Sequence, residues 1–310
     1  MTPSLIKDGL ILLKTLHFLT IGVIISTYNN PAWLEKTLWG YLNQTRPADE
    51  ILIADDGSTD QTRKLIESFT EKSAASNQEK SAASNQEKSA ASNNGTLPIK
   101  HIWQEDRGFQ KSQILNKALV AATAEYLIFT DQDCVPRKDF IATHERYAEK
   151  NYILSGGYFR LPIDISKQLT RSDVESGNAF SYKWLKARGL KWNFKCTKLI
   201  KCPAFCKFMN FITPAKATWN GCNASGWRED MLAINGYNEE MHYGGQDREF
   251  GERLFNMGLK SKQIRYSAIL LHLDHKRPYK TPETLKHNRE IRNNTKLNHI
   301  IQTPNGINKL

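Results

Sequence analysis

The chain has 310 residues, of which 40% are hydrophobic and 24% charged, and its formal net charge is +11. This composition is that of an ordinary globular protein with a sizeable core, and the positive balance favours anionic partners. Because the chain has no run of five or more Lys/Arg residues and no aromatic RNA-binding motif, a phosphorylated substrate or a membrane surface is favoured over nucleic acid.

Cysteine usage and hydropathy argue against further classes of protein: disulfide-rich, zinc-binding and membrane-spanning. Five cysteines in a chain of this length argue against a disulfide framework, and the cluster at Cys196, Cys202 and Cys206 lacks the CxxC pair and nearby His expected of a zinc site. No apolar run reaches membrane-spanning length, and the start lacks a signal cleavage site. We expect residues 1–20 to form an extension, in a protein that is cytoplasmic or peripheral on the inner face of the membrane.

The first half of the chain alternates apolar runs with helical patterns. Four runs have the β-branched character of strands buried on both faces: residues 21–26 (IGVIIS), 50–54 (EILIA), 99–104 (IKHIWQ) and 126–130 (YLIFT). Helices are predicted at residues 32–42, from about 58 to 70, and at residues 112–122. Asn30 and Pro31 are typical of a helix start. Because the strands end in polar residues, a mostly parallel sheet with a ligand-binding edge is predicted.

An exact eight-residue repeat, EKSAASNQ, interrupts this alternation. It occurs at residues 71–78 and 79–86, and a third copy without its last residue ends at Asn93. A period of eight matches neither a helix nor a strand, and small polar residues cannot build a core. The repeat therefore predicts a mobile surface insertion at residues 71–94.

The second half of the chain is less regular. Pro136 is predicted to start a helix, and residues 161–217 are basic and aromatic, which fits an amphipathic surface segment or a lid. Residues 246–257 predict a helix and residues 267–273 a last strand. The sequence beyond Thr281 is polar and basic.

The motif Asp131-Gln132-Asp133 directly follows the fourth apolar run. Two carboxylates at this spacing can hold Mg²⁺ or Mn²⁺, and such an ion neutralises charge on a departing diphosphate. An isolated Asp-x-Asp is a weak signal, because acidic turns are common. Its position after a strand, and after the turn at residues 55–58 (DDGS), favours a metal site.

Further candidate groups lie at other predicted strand ends. A carboxylate of the DDGS turn can accept from a base N–H or a ribose hydroxyl, although Ser58 can also cap a helix. Tyr28 can stack on a nucleobase or simply pack. His272 and His275 follow the last strand, and either could be a third metal ligand.

Asp247 stands at a predicted helix start, after two glycines. A carboxylate at this position is favoured by the helix dipole, and it could take the proton of an acceptor hydroxyl as general base. Helix capping is the structural alternative.

Together these residues resemble family 2 glycosyltransferases of the GT-A fold. Four motifs carry the resemblance across residues 21–275: VIISTYNNPAWLEKTL, ILIADDGSTDQT, GFQKSQILNKAL with YLIFTDQDCVP, and NASGWREDMLAINGYNEEMHYGGQDREFGERL. The last is similar to the carboxyl-terminal motif of galactosyltransferase-like domains, also found in bacterial chondroitin-polymerase-type enzymes. The resemblance implies a GT-A domain at residues 21–280, with a nucleotide-sugar-binding half (21–133), an acceptor half (134–280) and a basic tail (281–310).

The resemblance also implies roles at the matching positions. Asp247 would be the base of an inverting single displacement. The donor nucleotide, commonly uridine, would bind Thr27, Tyr28, Asn29, Asp55, Asp56, Arg107, Lys111 and Asp131. The metal would bind Asp133, Asp131 and His272. The acceptor or the donor sugar would lie against Trp219, Gly221, Asn223, Gly244, Gly245 and Gln246.

Two positions depart from the family pattern. Leu115 stands where Arg usually precedes the Asn at Asn116, and Lys111 could compensate for the charge without the planar fork of Arg. Gln246 stands where Glu is common. This difference bears on acceptor preference, because Gln hydrogen-bonds a hydroxyl without carrying a charge.

We therefore predict a metal-dependent inverting glycosyltransferase. It would move a sugar from a nucleotide-diphospho-sugar, expected to be a UDP-sugar, to a saccharide or lipid-linked acceptor in surface polysaccharide or lipopolysaccharide synthesis. A nucleotidyltransferase is one alternative, but it would need a Gly-rich basic loop after the first strand. A nucleotide-sugar-binding module without activity is another: Asp133 and Asp247 argue against it, whereas Leu115 and Gln246 keep it open.

Overall fold

A computed structural model describes residues 18–81, 97–275 and 281–310, and the side chains of these residues except 71–81. The strands are β1 (Ile21–Thr27), β2 (Glu50–Asp55), β3 (Ile99–Trp103), β4 (Tyr126–Asp131), β5 (Cys134–Pro136), β6 (Tyr152–Ser155), β7 (Gly157–Arg160), β8 (Ala224–Trp227), β9 (Lys260–Gln263) and β10 (Ile269–His272). The α-helices are α1 (Pro31–Leu42), α2 (Asp60–Ser81), α3 (Lys111–Ala121), α4 (Phe140–Tyr147), α5 (Ile163–Gln168), α6 (Arg171–Glu175), α7 (Tyr182–Ala187), α8 (Pro203–Ile212), α9 (Arg228–Ala233), α10 (Gln246–Asn256) and α11 (Pro282–Leu297). Short 3-10 helices lie at Asn178–Phe180 and Phe194–Leu199.

The main sheet has the strand order β3-β2-β1-β4-β8-β6-β9. The first four strands are parallel, while β8 is antiparallel to both β4 and β6. Strand order reverses between β1 and β4, because β2 and β3 lie on one side of β1 and β4 on the other. Ligands of open α/β sheets bind at such a switch point, beyond the carboxyl ends of the strands. Here the register places Ser26 opposite Asp131 at that edge.

Both faces of the central strands are covered, as their apolar runs predict. β1 and β2 are buried along their whole lengths. Val23 and Ile25 pack into the core on one face, whereas Ile24 packs on the other with Leu52 and Ile114. Such alternation follows from the two-residue period of a strand. β3, at the edge of the sheet, is only half-buried.

A second sheet, β5-β10-β7, lies beside the end of β4. The prediction that Pro136 starts a helix is wrong. Cys134 and Val135 pair antiparallel with β10 and are fully buried, so the chain stays extended and the helix begins at Phe140. The same pairing places His272 opposite Cys134, one residue beyond Asp133.

Residues 163–212 fold into four short α-helices and the two 3-10 helices. They share a small core with the second sheet, in which Phe180, Leu185 and Leu199 pack with Val135 and Leu271. The segment therefore stands on the β5-β10-β7 sheet. None of the described helices is both long and apolar enough to cross a membrane.

Two other predicted boundaries differ from the structure. The helix expected to end near Thr70 continues as α2 to Ser81, into the repeat, whose Glu, Lys, Ala and Gln residues favour helix. The rest of the predicted insertion, residues 82–94, and residues 1–17 of the predicted extension lie outside the described residues. The segment expected as a basic tail contains α11, which packs on α10 through Arg292 and Glu252, 2.5 Å apart.

Candidate active site

A cavity of about 890 Å³ lies over the carboxyl ends of β1 and β4. It brings together groups from the sheet edge, the start of α3, the second sheet and the start of α10. The predicted residues that line it are Thr27, Tyr28, Asn29, Asp56, Lys111, Asp131, Asp133, Gln246, Asp247 and His272. Gln132 of the Asp-x-Asp motif and His275, the alternative predicted metal ligand, line it as well. Further lining residues had no predicted role, among them Ser26, Tyr158, Arg160, Asn220 and Tyr243.

Asp131, at the end of β4, is already charge-balanced. Its Oδ1 accepts hydrogen bonds from Ser26 Oγ at 2.6 Å and from Lys111 Nζ at 2.5 Å. Burial works against the charge of Lys111, but Asp131, Asp247 and Asp133 outweigh it and raise the pKa of this lysine. Lys111 is therefore a fixed cation at the point where three carboxylates converge.

Gln132, between the two aspartates, ties the end of β4 to the end of β1. Its Oε1 accepts from Thr27 Oγ1 at 2.5 Å and from the Tyr28 amide at 3.2 Å, and its Nε2 donates to the Tyr28 carbonyl at 3.0 Å. Thr27 and Tyr28 are thus held in place by Gln132, the middle residue of the Asp131-Gln132-Asp133 motif. The alternation of side chains along a strand end was the signal that could have identified this role.

Asp133 lies against two imidazoles. His275 Nε2 is 2.9 Å from Asp133 Oδ2, and His272 Nδ1 is 3.5 Å from the same oxygen. Burial alone would raise the pKa of Asp133, but the two histidines outweigh it and hold the pKa below its usual value. The carboxylate is therefore ionised, as a metal ligand must be.

This group fits a divalent cation. Ligand atoms of Asp133, Cys134 and His272 lie within 4.8 Å of one another. His272 Nδ1 is 3.1 Å from the Leu273 carbonyl oxygen, and a backbone contact of this kind commonly orients a metal-binding imidazole. Burial raises the pKa of the Cys134 thiol well above its usual value, so the neutral sulfur is a poor ligand for a hard ion. Asp133 with imidazole nitrogen remains the better donor set.

The two aspartates at the carboxyl end of β2 differ in exposure to the cavity. Asp55 is fully buried, accepts from the Ser58 amide at 2.8 Å, lies 2.9 Å from His101 Nε2, and does not line the cavity. The binding of nucleotide by Asp55 therefore stays a prediction that the cavity lining does not support. Asp56 lines the cavity and accepts from Gln104 Nε2 at 2.6 Å and the Gln110 amide at 2.9 Å. Burial raises its pKa to about 6.

Arg107 is not part of the cavity wall. It is exposed and pairs with Glu105 at 2.7 Å, so its place near the donor phosphates stays a prediction. Gly108 and Phe109 line the cavity instead. Tyr28 is 43% exposed, which leaves a ring face available for stacking, and its hydroxyl donates to Asp106 at 2.9 Å.

Asp247 lies in the first turn of α10, in an unusual environment for a carboxylate. Its Oδ1 is buried and has no hydrogen-bond partner among the described residues. The Gly221 N–H bonds the carboxylate, and a Cβ on Gly221 would lie 2.3 Å from Oδ1, so only glycine permits this approach. Burial raises the pKa of Asp247, although Lys111 opposes the shift. Its proton affinity is thus higher than that of an ordinary aspartate.

The other predicted acceptor-side residues mostly support the wall from behind. Trp219 is fully buried, its Nε1 donates to the Tyr237 hydroxyl at 3.0 Å, and it does not line the cavity. Asn223 is also fully buried and donates to the Gly157 carbonyl at 2.7 Å. Gly244 and Gly245, with φ of +101° and +112°, form the turn before α10 and do not line the cavity. These four residues and Gly221 thus lie outside the cavity lining, and their contact with the acceptor or donor sugar stays a prediction.

The turn before α10 is held by α11. The side-chain amide of Asn288, a fully buried residue, lies 2.8, 3.2 and 2.9 Å from the carbonyl oxygens of His242, Tyr243 and Gly244. Gln246 Oε1 accepts from the Gly244 amide at 2.9 Å and completes the turn. No sequence signal pointed to Asn288, which is more than 40 residues from the turn.

The departure at Leu115 leaves no gap in the cavity. Leu115 is 2% exposed and packs in the core, while Asn116 donates to the Tyr237 carbonyl at 2.9 Å. Lys111, one helical turn earlier, supplies the cation on the cavity side of α3.

Comparison with known proteins identifies related chains. The family model described as Glycosyl transferase family 2 matches residues 22–211, and the model described as N-terminal domain of galactosyltransferase matches residues 205–276. The chain is 24% identical to chondroitin synthase of Escherichia coli over 79% of its own length and 33% of that protein. It is 32% identical to validoxylamine A glucosyltransferase of Streptomyces hygroscopicus subsp. limoneus over 82% of its length and 51% of that protein. It therefore spans between a third and about half of these relatives.

Solved structures share the fold. Mannosyltransferase PcManGT from Pyrobaculum calidifontis, in complex with GDP-Man and Mn²⁺, matches with a TM-score of 0.51 and 20% identity, covering 91% of this chain and 63% of that chain. S. aureus TarS 1–349, in complex with UDP-GlcNAc, matches with a TM-score of 0.54 and 15% identity, covering 88% and 65%. The predicted GT-A fold, an α/β fold with a mostly parallel central sheet, is confirmed.

Proposed function

The chain belongs to glycosyl transferase family 2, and from that premise we propose that it transfers a sugar from a nucleotide-diphospho-sugar to a saccharide or lipid-linked acceptor, with inversion at the anomeric carbon. One observation carries this proposal. Asp131, Lys111 and Asp133 form a charge-balanced edge of the cavity. The carboxylate of Asp247 lines the same cavity, and its buried Oδ1 lacks a hydrogen-bond partner among the described residues.

The donor would occupy the sheet edge. Asp56 is the cavity-lining carboxylate that can accept from a base N–H, and Tyr28 offers a ring face above it. Lys111 lies where the diphosphate would pass between the nucleoside and the reacting carbon. Asp133, His272 and His275 would hold a divalent cation, Mn²⁺ or Mg²⁺, which when bound neutralises charge on the leaving diphosphate.

The acceptor would approach from the Asp247 side. Asp247 takes the proton of the acceptor hydroxyl, the hydroxyl oxygen bonds to the anomeric carbon, and the bond from that carbon to the diphosphate oxygen breaks. The electron pair leaves with the nucleoside diphosphate. A carboxylate with a raised pKa suits this task, because it binds a proton more strongly than an exposed aspartate does.

The identity of the substrates is also proposed. A UDP-sugar is supported by the carboxylate at Asp56, which can accept from the N3–H of uracil, and by a fold shared with a protein that binds UDP-GlcNAc. Surface polysaccharide or lipopolysaccharide synthesis is supported by the similarity to chondroitin synthase. The acceptor would then be a growing saccharide, free or lipid-linked.

A panel of nucleotide sugars tests the proposal. Each donor is incubated with Mn²⁺, Mg²⁺ or a chelator, with and without saccharide acceptors, and nucleoside diphosphate is measured. We expect acceptor-dependent release from one donor class, abolished by the chelator. In a separate reaction that contains the nucleotide sugar and added pyrophosphate but no acceptor, formation of nucleoside triphosphate and sugar 1-phosphate would instead identify a nucleotidyltransferase. Donor binding by calorimetry without release, across the acceptor panel, would identify a binding module.

A further inference from the structure

One segment of the chain carries charge of a single sign. Between Glu175 and Glu229 the sequence contains no acidic residue and ten Lys and Arg residues. The segment includes α7, the 3-10 helix at Phe194–Leu199 and α8. Nothing in the proposed reaction requires this imbalance over so long a stretch, since the cavity uses other cations.

Helix α8 is apolar on both of its faces. The inner face buries Cys206 and Met209, and the half-buried Phe205 ring lies 6.3 Å from the Tyr266 ring. The outer face exposes Phe208 (58%) and Phe211 (88%), with Ile212 and Lys207 beside them. Apolar rings grouped on an exposed surface commonly mark an interaction site. The outer face of α8 is therefore a surface without a partner among the described residues.

The 3-10 helix at Phe194–Leu199 adds a second exposed group beside α8. Trp192 and Phe194 are each 64% exposed, and their neighbours Lys191, Lys195 and Lys201 are exposed as well. This helix and α8 meet at Tyr266, because Thr197 Oγ1 lies 3.5 Å from the Tyr266 hydroxyl and Phe205 packs on its ring. We call Trp192, Phe194, Phe208, Phe211, Lys191, Lys195, Lys201 and Lys207 the basic aromatic patch.

We propose that the basic aromatic patch binds the surface of an anionic lipid bilayer. Aromatic rings insert at the headgroup level, while lysines on the same surface contact anionic headgroups and keep their stems in the apolar boundary. A protein partner is disfavoured, because lysine is depleted at protein interfaces. The occupant that complements both the exposed aromatic area and the uniform positive charge is a lipid surface.

The patch adjoins the wall of the cavity. Lys198, in the same 3-10 helix, donates from Nζ to the Tyr158 carbonyl at 3.1 Å, and Tyr158 lines the cavity. Arg160, two residues later on β7, lines it as well. If the proposed reaction holds, a lipid-linked acceptor would reach Asp247 from the membrane side. Bilayer binding itself does not depend on that reaction.

Vesicle sedimentation with the full chain tests the proposal. Vesicles of phosphatidylcholine alone are compared with vesicles containing about 30 mol% phosphatidylglycerol. We expect the wild type to sediment with the anionic vesicles and to be released at about 0.5 M NaCl. The double variant Phe208→Ser/Phe211→Ser should bind about tenfold more weakly. Leu297→Ser, which removes a side chain that is 79% exposed on α11, is the matched control and should bind like the wild type.

Two results would overturn the proposal. One is sedimentation of the double variant equal to that of the wild type, or no binding of the wild type to anionic vesicles. The other is a wild-type dimer that the double variant loses, without vesicle binding, which would make the patch an interface between copies. Circular dichroism and nucleoside diphosphate release with a soluble acceptor should be unchanged in the double variant. Loss of vesicle binding with intact release therefore separates this proposal from the proposed function.

Discussion

The two ends of the cavity hold their carboxylates in opposite ways. At the sheet edge, Asp131 is paired with Lys111 and Ser26, and Asp133 with His275. At the start of α10, the buried Oδ1 of Asp247 lacks a hydrogen-bond partner among the described residues. The paired end is suited to binding charge, because its own charges are already balanced and fixed. The other end keeps a carboxylate whose ionised form is poorly stabilised, which suits it to accept a proton.

The largest effect is expected from Asp247→Asn, which removes the proton acceptor without changing its size. We expect kcat to fall by about 10²–10⁴-fold with donor affinity nearly unchanged, measured by nucleoside diphosphate release and calorimetry. In the wild type, kcat should fall as the pH drops through the raised pKa of Asp247, since only the ionised form accepts a proton. The exposed Glu240→Gln serves as control. A decrease of only a few-fold in Asp247→Asn would remove it from the role of base.

Asp133→Asn tests the paired end. The change leaves His272 and His275 without their carboxylate partner and removes an oxygen ligand. We expect the concentration of Mn²⁺ or Mg²⁺ needed for half-maximal activity to rise by about 10–100-fold. The exposed Asp164→Asn should leave the metal dependence unchanged. An unaltered metal dependence in Asp133→Asn would place the cation elsewhere.

The contrast between the two ends also explains which features were predictable from the sequence. Apolar runs followed by carboxylates locate one edge of a parallel sheet, because the carboxyl ends of parallel strands meet at the same edge. The sequence could not decide between Asp55 and Asp56, since consecutive side chains at a strand end point to opposite sides. Trp219 was placed in the cavity by its motif, but its ring packs into the core against Phe129 and Phe250.

The acceptor end was less predictable because its contacts cross long stretches of sequence. Asn288 reaches carbonyl groups 44 to 46 residues earlier, from a segment that composition marks only as polar and basic. His144 and Asn223, which are 79 residues apart, form a fully buried hydrogen-bonded pair that no sequence motif predicts. Such positions follow from tertiary packing, which local patterns do not encode.

Asn288→Ala tests whether the distant helix α11 positions the turn that carries Asp247. We expect kcat to fall by about tenfold while the KM for the donor stays within about twofold, because the change displaces Tyr243 and Asp247 but not the sheet edge. Asn293→Ala, at an exposed position of the same helix, is the matched control. A purely structural role would lower the melting temperature or raise both KM values without this selective loss of kcat.

The smallest effect on ligand binding is expected from protonation of Asp56. This residue fits neither end of the cavity, because it accepts two hydrogen bonds, as the paired carboxylates do, and yet burial raises its pKa to about 6. UDP affinity should weaken as the pH falls through 6, by about tenfold at pH 5, because protonated Asp56 cannot accept from a base N–H. Stability should respond with the opposite sign. The folded state binds this proton more tightly than the unfolded state, so the contribution of Asp56 declines as the pH rises from about 4 to about 6.

Calorimetry of UDP binding and denaturant unfolding across about pH 4–8 separate the two responses. Asp56→Asn should make the pH dependence of UDP binding shallower and should abolish the Asp56 part of the stability change. If binding in the variant keeps the wild-type pH profile, another group recognises the base. If binding and stability instead change in the same direction with pH, the buried carboxylate of Asp56 is not the group that couples them. Opposite responses would mean that the donor end, like Asp247, retains one carboxylate at a cost in stability.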